Sequence, residues 1–224
     1  MKKKLTFYSL LLTGIATVLS GCSVSINPQG VRGTGEIESR DFEVENYTAI
    51  NISGVYEVIW QESETASVTI EMYENLFEFL EISTNGDTLH IDSSRAINVR
   101  SNDVTPRIYL YSPSLEAVSF YGALTAENWD TVYGQNFSLN VSGAASAELN
   151  LNVEVLDVDL SGAGDLDLTG NINTANLVVS GAGSIDIDVI HYLNVNLSGV
   201  GRVRYGGNPT ITRNISGVGT LEQR

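Results

Sequence analysis

From Phe137 onward, apolar and polar residues alternate in short runs that return at a fixed interval. Between the runs stand small residues: Ser142-Gly143-Ala144-Ala145, Ser161-Gly162-Ala163-Gly164, Ser180-Gly181-Ala182-Gly183, Ser198-Gly199-Val200-Gly201 and Ser216-Gly217-Val218-Gly219. Successive serines lie 19, 19, 18 and 18 residues apart. Five, three and one places before them come Phe137, Leu139, Val141, then Leu156, Val158, Leu160, then Ala175, Leu177, Val179, then Leu193, Val195, Leu197. Five and seven places after them come Ala147 and Leu149, Leu166 and Leu168, Ile185 and Ile187, Val203 and Tyr205. A period of two sends alternate side chains to opposite faces. Each repeat therefore predicts two short strands pointing apolar residues inward, joined at a Ser-Gly-small-Gly corner. One repeat cannot bury its apolar face, whereas stacked coils at about 4.8 Å spacing can. The period signals a solenoid. The expected fold is all-β, a right-handed parallel β-helix with coils of about 18–21 residues. The corner glycines are expected to supply positive φ and a close approach between coils.

The chain before Phe137 is rich in strands but less regular. Ile50-x-Ile52, Val58-Ile59-Trp60, Val68 to Met72, Ile97-x-Val99, Ile108-x-Leu110 and Leu115 to Phe120 read as strands. Leu80-x-Ile82, Asn85-Gly86-Asp87 and Leu89-x-Ile91 predict a hairpin. Glu74 to Phe79 suits a helical turn. Ser53-Gly54-Val55-Tyr56 and Tyr121-Gly122-Ala123 are degenerate copies of the later corner.

The first residues change the picture of where the protein resides. Met1-Lys2-Lys3-Lys4 is basic, Leu5 to Leu19 is apolar but short for a membrane span, and Leu19-Ser20-Gly21-Cys22 places small residues before the only cysteine. This resembles a bacterial lipobox, which implies acylation of Cys22 and removal of residues 1–21 as a signal peptide. One cysteine excludes an internal disulfide. Residues 22–35, with Pro28 and three glycines, read as the lipidated N-terminus and a flexible tether. Residues 36–224 are left as the β-helical domain. Ser23 is not the aspartate that holds many Gram-negative lipoproteins at the inner membrane, so the expected location is the outer membrane.

Without residues 1–21 the chain keeps nine arginines, no lysine and 27 acidic residues, a formal charge of −18. Such a surface excludes nucleic acid as a partner, because phosphate binding needs cations. The charge also directs attention to the outward columns. Glu148, Asp167, Asp186, Arg204 and Glu222 stand six places after their serines, and Ser146, Asp165, Ser184, Arg202 and Thr220 four places after. Stacked carboxylates about 5 Å apart repel by roughly 0.8 kcal/mol in water, and Arg204 offsets part of this. Beyond a plain solvated face, Asp165, Asp167, Asp186 and Asp188 are the candidates for a cation site, with Ca²⁺ as the expected ion. The calcium-binding nonapeptide does not fit, since Leu166 stands where its aspartate belongs. No cofactor motif is present.

Catalytic constellations are missing from the pattern. Acid pairs follow automatically from stacking, His90 and His191 are isolated in sequence, and no serine sits in a G-x-S-x-G elbow. The repeat serines suit a hydrogen-bonded corner ladder. The expectation is a non-enzymatic protein, with a carbohydrate-active enzyme or a structural envelope protein as alternatives. Tyr121, Trp129 and Tyr133 cluster before the regular repeats, as core packing or as a surface for a glycan or protein ligand. In the final coil, Arg213 stands where earlier coils have Leu or Val, and Glu222, Gln223 and Arg224 follow. This charged edge either discourages stacking or docks another chain. Homo-oligomerisation through the last coil is the hypothesis that follows.

Together, the repeated S-G-[AV]-G-x-[LIV]-x-[LIV], the early SGVYEVIWQ, the ENLFEFLEI segment, the NGDTLHI hairpin and the late RYGGNP before the final SGVG resemble the head GIN domain family of auto-transporter adhesin heads. The resemblance covers roughly residues 36–224. It implies a β-helical fold and an extracytoplasmic, often lipid-anchored setting. It implies no catalytic residues.

Overall fold

A computed structural model describes residues 30–99 and 103–224. The expected signal peptide, Cys22 and most of the expected tether lie outside the described residues. The strands in chain order are β1 Val31–Arg32, β2 Ile37–Glu43, β3 Ala49–Ile52, β4 Val55–Glu62, β5 Ser67–Tyr73, β6 Leu80–Asn85, β7 Thr88–Ser93, β8 Ile97–Asn98, β9 Arg107–Ser112, β10 Ala117–Phe120, β11 Ala123–Ala126, β12 Val132–Val141, β13 Ala144–Leu160, β14 Ala163–Val179, β15 Ala182–Asp188, β16 Tyr192–Leu197, β17 Val200–Gly206, β18 Thr210–Ile215 and β19 Val218–Gln223. A 3-10 turn, Glu74–Phe79, occupies the expected helical segment.

The repeat is a parallel β-solenoid of about six turns. Phe137 pairs with Leu156, Leu156 with Ala175, Ala175 with Leu193 and Leu193 with Ile211. On the far side of each corner, Ala123, Ala144, Ala163, Ala182, Val200 and Val218 stand in one register. The residues assigned inward are buried from Phe137 to Val203, and Tyr205, Ile211, Ile215 and Leu221 are partly exposed.

Two short strands per repeat hold only for the later coils. In the two 19-residue coils the chain never leaves the ladder, so β13 and β14 each run 17 residues. Leu151, Val153 and Ile172 form a further buried side there. The two 18-residue coils break at 189–191 and 207–209, giving β15 and β16, then β17 and β18. The stacking continues across the first break, where Val189 is buried and the N–H groups of Ile190 and His191 donate to the Ile172 and Asn173 carbonyls.

The two degenerate corners are the start of the same stack. Val55 pairs with Ala123, and Ile52 with Phe120, so the coil at Ser53-Gly54 lies directly below the coil at Tyr121-Gly122. The chain between them makes an excursion that closes this end. β7 and β9 extend the two sheets downward in parallel, β5 and β2 then pair antiparallel beyond β9, and β6 pairs antiparallel beyond β7. β6 and β7 form the predicted hairpin, with Gly86 at φ +60°. Leu76 and Phe77 of the 3-10 turn are buried beneath the core.

Part of the segment read as a tether is folded. Val31 and Arg32 pair with Ile97 and Asn98, Arg32 bonds Asp103 at 2.7 Å, and the Thr34 N–H donates to Asn75 Oδ1 at 2.8 Å. Residues 31–35 therefore belong to the folded body.

The corner glycines serve close approach and not positive φ. Among Gly54, Gly122, Gly143, Gly162, Gly181, Gly199 and Gly217, only Gly54 has positive φ. A Cβ on each of the other six would strike the carbonyl of the glycine one coil below. Gly183, Gly201 and Gly219 form a second such column over Gly164.

Candidate functional site

The corner presents three parallel columns on the outside of the solenoid. Ser142, Ser161, Ser180, Ser198 and Ser216 are exposed, the glycines are half-buried, and the Ala and Val column beyond them is exposed, reaching 76% at Val218. The serine ladder is chiefly a backbone one. Each serine N–H donates to a carbonyl of the previous coil, from Ser142 to Phe120 at 3.0 Å up to Ser216 to Leu197 at 3.0 Å. The hydroxyls of Ser142 and Ser161 reach the same carbonyls only at 3.5 and 3.4 Å.

A shallow groove of about 490 Å³ crosses the lower coils at this corner. Its floor comes from Ala123, Ala144, Ala163, Ala145 and Gly164, one wall from Thr125, Ser146 and Asp165, and the other includes Thr105. Tyr56, Leu124, Ala145 and Gly164 succeed one another in register, followed by Gly183, Gly201 and Gly219. Tyr56 lies at the base, 1% exposed, and its hydroxyl has no partner. Burial first, and the charge of Asp92 second, push it up to about 12. Tyr47, also buried, is raised as well, although its hydroxyl donates to the Tyr111 carbonyl at 2.9 Å.

The acidic ladder stands in the expected register, Glu148, Asp167, Asp186, Arg204, Glu222. Its upper half is neutralised internally. Asp186 binds Arg204 and, at 2.8 Å, Arg224, while Arg224 also holds Asp188 at 2.6 Å. The role of Arg224, 36 residues along from Asp188, has no local sequence signal. Asp165 faces Ser146 and Ser184 in the neighbouring column, and Asp167 Oδ1 is buried without a hydrogen-bond partner. Among the described residues no three His, Cys, Asp or Glu side chains converge to hold a metal. On the other sheet a polar ladder escaped the sequence reading, with Asn194 donating to Asn176 at 2.7 Å and Asn176 to Asp157 at 2.8 Å.

The three aromatic candidates have different surroundings. The Trp129 indole N–H donates to the Val58 carbonyl at 2.7 Å, and its ring packs 6.4 Å from that of Trp60. Trp129 is thus tied into the core. Tyr121, at the corner, and Tyr133, in β12, are 53% and 60% exposed. His90 lies beside Asn51 at 3.4 Å, and the His191 ring beside that of Tyr192.

A family model, "Putative auto-transporter adhesin, head GIN domain", matches residues 46–223. The chain belongs to the head GIN domain family. The match runs from just before the first corner to the end of β19, so the irregular lower coils are part of the head GIN domain and not an appendage. Solved structures share the fold. One described as a putative adhesin from Bacteroides fragilis NCTC 9343 is 21% identical, with a TM-score of 0.67 over 87% of this chain and 100% of that one. A putative lipid binding protein and a putative adhesin, both from Parabacteroides distasonis ATCC 8503, are 18% and 19% identical with TM-scores of 0.58 and 0.54. Each covers 87% of this chain, and 99% and 100% of its own. At these identities the likeness speaks for the fold alone. A search of curated proteins gave no significant match. The family and these neighbours are described as adhesins or binding proteins and not as enzymes, which points to the cell envelope or surface.

Proposed function

We propose that this head GIN domain is a non-enzymatic binding module of the bacterial envelope, anchored through an acylated Cys22 at the outer membrane. The observation that carries the binding role is the groove across four stacked coils. Its floor is apolar and backbone-rich, and its wall offers a hydroxyl or carboxylate on each of three successive coils, Thr125, Ser146 and Asp165. That spacing suits an extended ligand with a repeating polar edge, such as a glycan or an unfolded peptide. Asp165 is the single carboxylate in the lining, so the groove contains no acid–base pair of the kind that glycoside hydrolysis requires.

Ala144 is exposed in the groove floor, so Ala144→Trp fills the groove without touching the core. On a glycan array, and in pulldowns from intact cells, Ala144→Trp is expected to weaken binding about tenfold or more. Undiminished binding by this variant would place the ligand elsewhere. The anchor has its own readout, since labelled palmitate should be incorporated by the native chain and lost in Cys22→Ala. Protease shaving of intact cells then reports which face of the membrane carries the domain.

A further inference from the structure

The groove at the corner is walled by polar side chains that the protein does not use on itself. Thr125, Ser146 and Asp165 stand in one outward column, in register on three successive coils. None of the three makes a side-chain hydrogen bond or an ion pair among the described residues. Other polar columns are already engaged. Asp186 and Asp188 are held by Arg204 and Arg224, and Asn194, Asn176 and Asp157 bond one another. Along the floor, Ala123, Ala144 and Ala163 present exposed methyl groups at the spacing of the coils, about 4.8 Å. A ligand that fits is therefore apolar on one face and carries hydrogen-bonding groups at intervals along one edge.

The recurring ways of holding a peptide lack their requirements here. Strand addition needs an unpaired sheet edge, but β11 lies between β4 and β13, β13 between β11 and β14, and β14 between β13 and β15. The N–H groups of Ala123, Ala144 and Ala163 already donate to the Gly54, Gly122 and Gly143 carbonyls at 2.8, 2.7 and 2.8 Å. A polyproline helix needs exposed aromatic faces, and Tyr56, the one aromatic residue in the lining, is 1% exposed. An amphipathic helix needs an apolar groove, whereas two hydroxyls and a carboxylate form this wall. Charge disfavours anionic ligands as well. Between Arg107 and Arg202 the chain has eleven acidic residues and no Lys or Arg. Arg107, at the foot of the wall column, is held by Glu57 at 2.7 Å, and Arg202 stands two coils above Asp165, outside the lining.

We propose that the groove takes an uncharged glycan chain lying along the axis of the solenoid. The inference rests on the reading of the groove as the binding site. A sugar ring has the required duality, with C–H bonds on its faces and hydroxyls around its edge. The C–H faces lie on the alanine floor, and the hydroxyls of one edge meet Thr125, Ser146 and Asp165. An ionised carboxylate accepts from more than one hydroxyl, and the Thr and Ser hydroxyls donate or accept as the sugar demands. The floor from Val55 to Ala163 spans three coil spacings, on the order of 14 Å, which is room for a short run of sugars. Asp165 also sets the preference, because a uronate or sulfate group brought beside it meets a like charge.

The test applies the full chain, solubilised in a sugar-free detergent, to an array of neutral, uronate-bearing and sulfated glycans and to an array of unstructured peptides. Neutral glycans are expected to be bound, and Ala144→Trp to weaken that binding about tenfold or more. Asp165→Asn keeps an oxygen acceptor and removes the charge. It should weaken neutral glycans about threefold or more and at the same time strengthen uronate-bearing ones, a change of preference that a merely structural role does not produce. Both positions are exposed. Circular dichroism melting checks that both variants are folded, and Asp165→Asn suffices if the tryptophan variant is not. Peptides or anionic glycans bound in a way that Ala144→Trp abolishes, with neutral glycans ignored, overturn the assignment of the ligand and keep the groove. Neutral glycans bound equally by both folded variants overturn the groove itself. No binding on either array overturns the glycan assignment.

Discussion

Tyr56 shows how one residue sets up its surroundings. It occupies the position that higher coils give to glycine, and its ring fills the corner below Gly54, whose Cβ it would displace. The ring contributes a large buried apolar area, but its hydroxyl is buried without a partner, which costs about 1–3 kcal/mol. Tyr56→Phe is therefore expected to leave stability unchanged or raise it by up to about 1 kcal/mol in urea unfolding near neutral pH. The pH dependence has a definite sign. The folded state holds this proton up to about pH 12, while the unfolded tyrosine releases it near 10. Stability is thus fully present below pH 10 and falls as pH rises toward 12, by about 3 kcal/mol for this group. Tyr56→Phe should flatten part of that fall, with Tyr47 supplying the remainder. An identical alkaline slope in the variant would show that the hydroxyl is solvated after all.

At the scale of the coil, the glycine column limits how closely turns can stack. Where Gly181 would carry a Cβ, the carbonyl of Gly162 already stands, and both partners are backbone. Neither can rotate away, so Gly181→Ala must pry two coils apart and is expected to cost about 1–3 kcal/mol or more. Gly86 is the control. Its positive φ disfavours alanine, but a Cβ there would meet nothing within 4 Å, so Gly86→Ala should cost only about 1–2 kcal/mol. Urea unfolding of the two variants decides the matter. If Gly181→Ala is the milder change, close approach is not what the repeated glycine protects. The serines beside it are interchangeable in a way the glycines are not, because their main-chain N–H makes the ladder and Tyr121 replaces one of them.

Over the whole molecule, charge is distributed along the solenoid axis. The middle coils carry acids alone, and the arginines gather below and above them. Stacked carboxylates repel in the folded state more than in an expanded chain, and salt screens that repulsion over about 8–10 Å. The melting temperature should therefore climb by several degrees between about 10 mM and about 300 mM salt. A flat or falling curve would mean that the pairs around Asp186, and the Asn194, Asn176 and Asp157 ladder, already balance the field.

The sequence by itself determined the solenoid, its register and its inward face, because a two-residue alternation repeated every 18 or 19 residues has one economical way to bury its apolar side. It also placed the hairpin, the short helical turn and the acidic ladder, whose signals are local or periodic. It did not determine that Ser53-Gly54 lies directly beneath Tyr121-Gly122, since the excursion between them has no period to count. The tertiary structure alone decided the closure by β2, β5 and β6, the tie from Trp129 to Val58, and the return of Arg224 to Asp186 and Asp188. Each of these joins residues far apart in the chain through a geometry that no local pattern encodes. The reason for the corner glycines was likewise settled only by stacking, because a conflict between a Cβ and the carbonyl of the previous coil exists only once two coils are brought together.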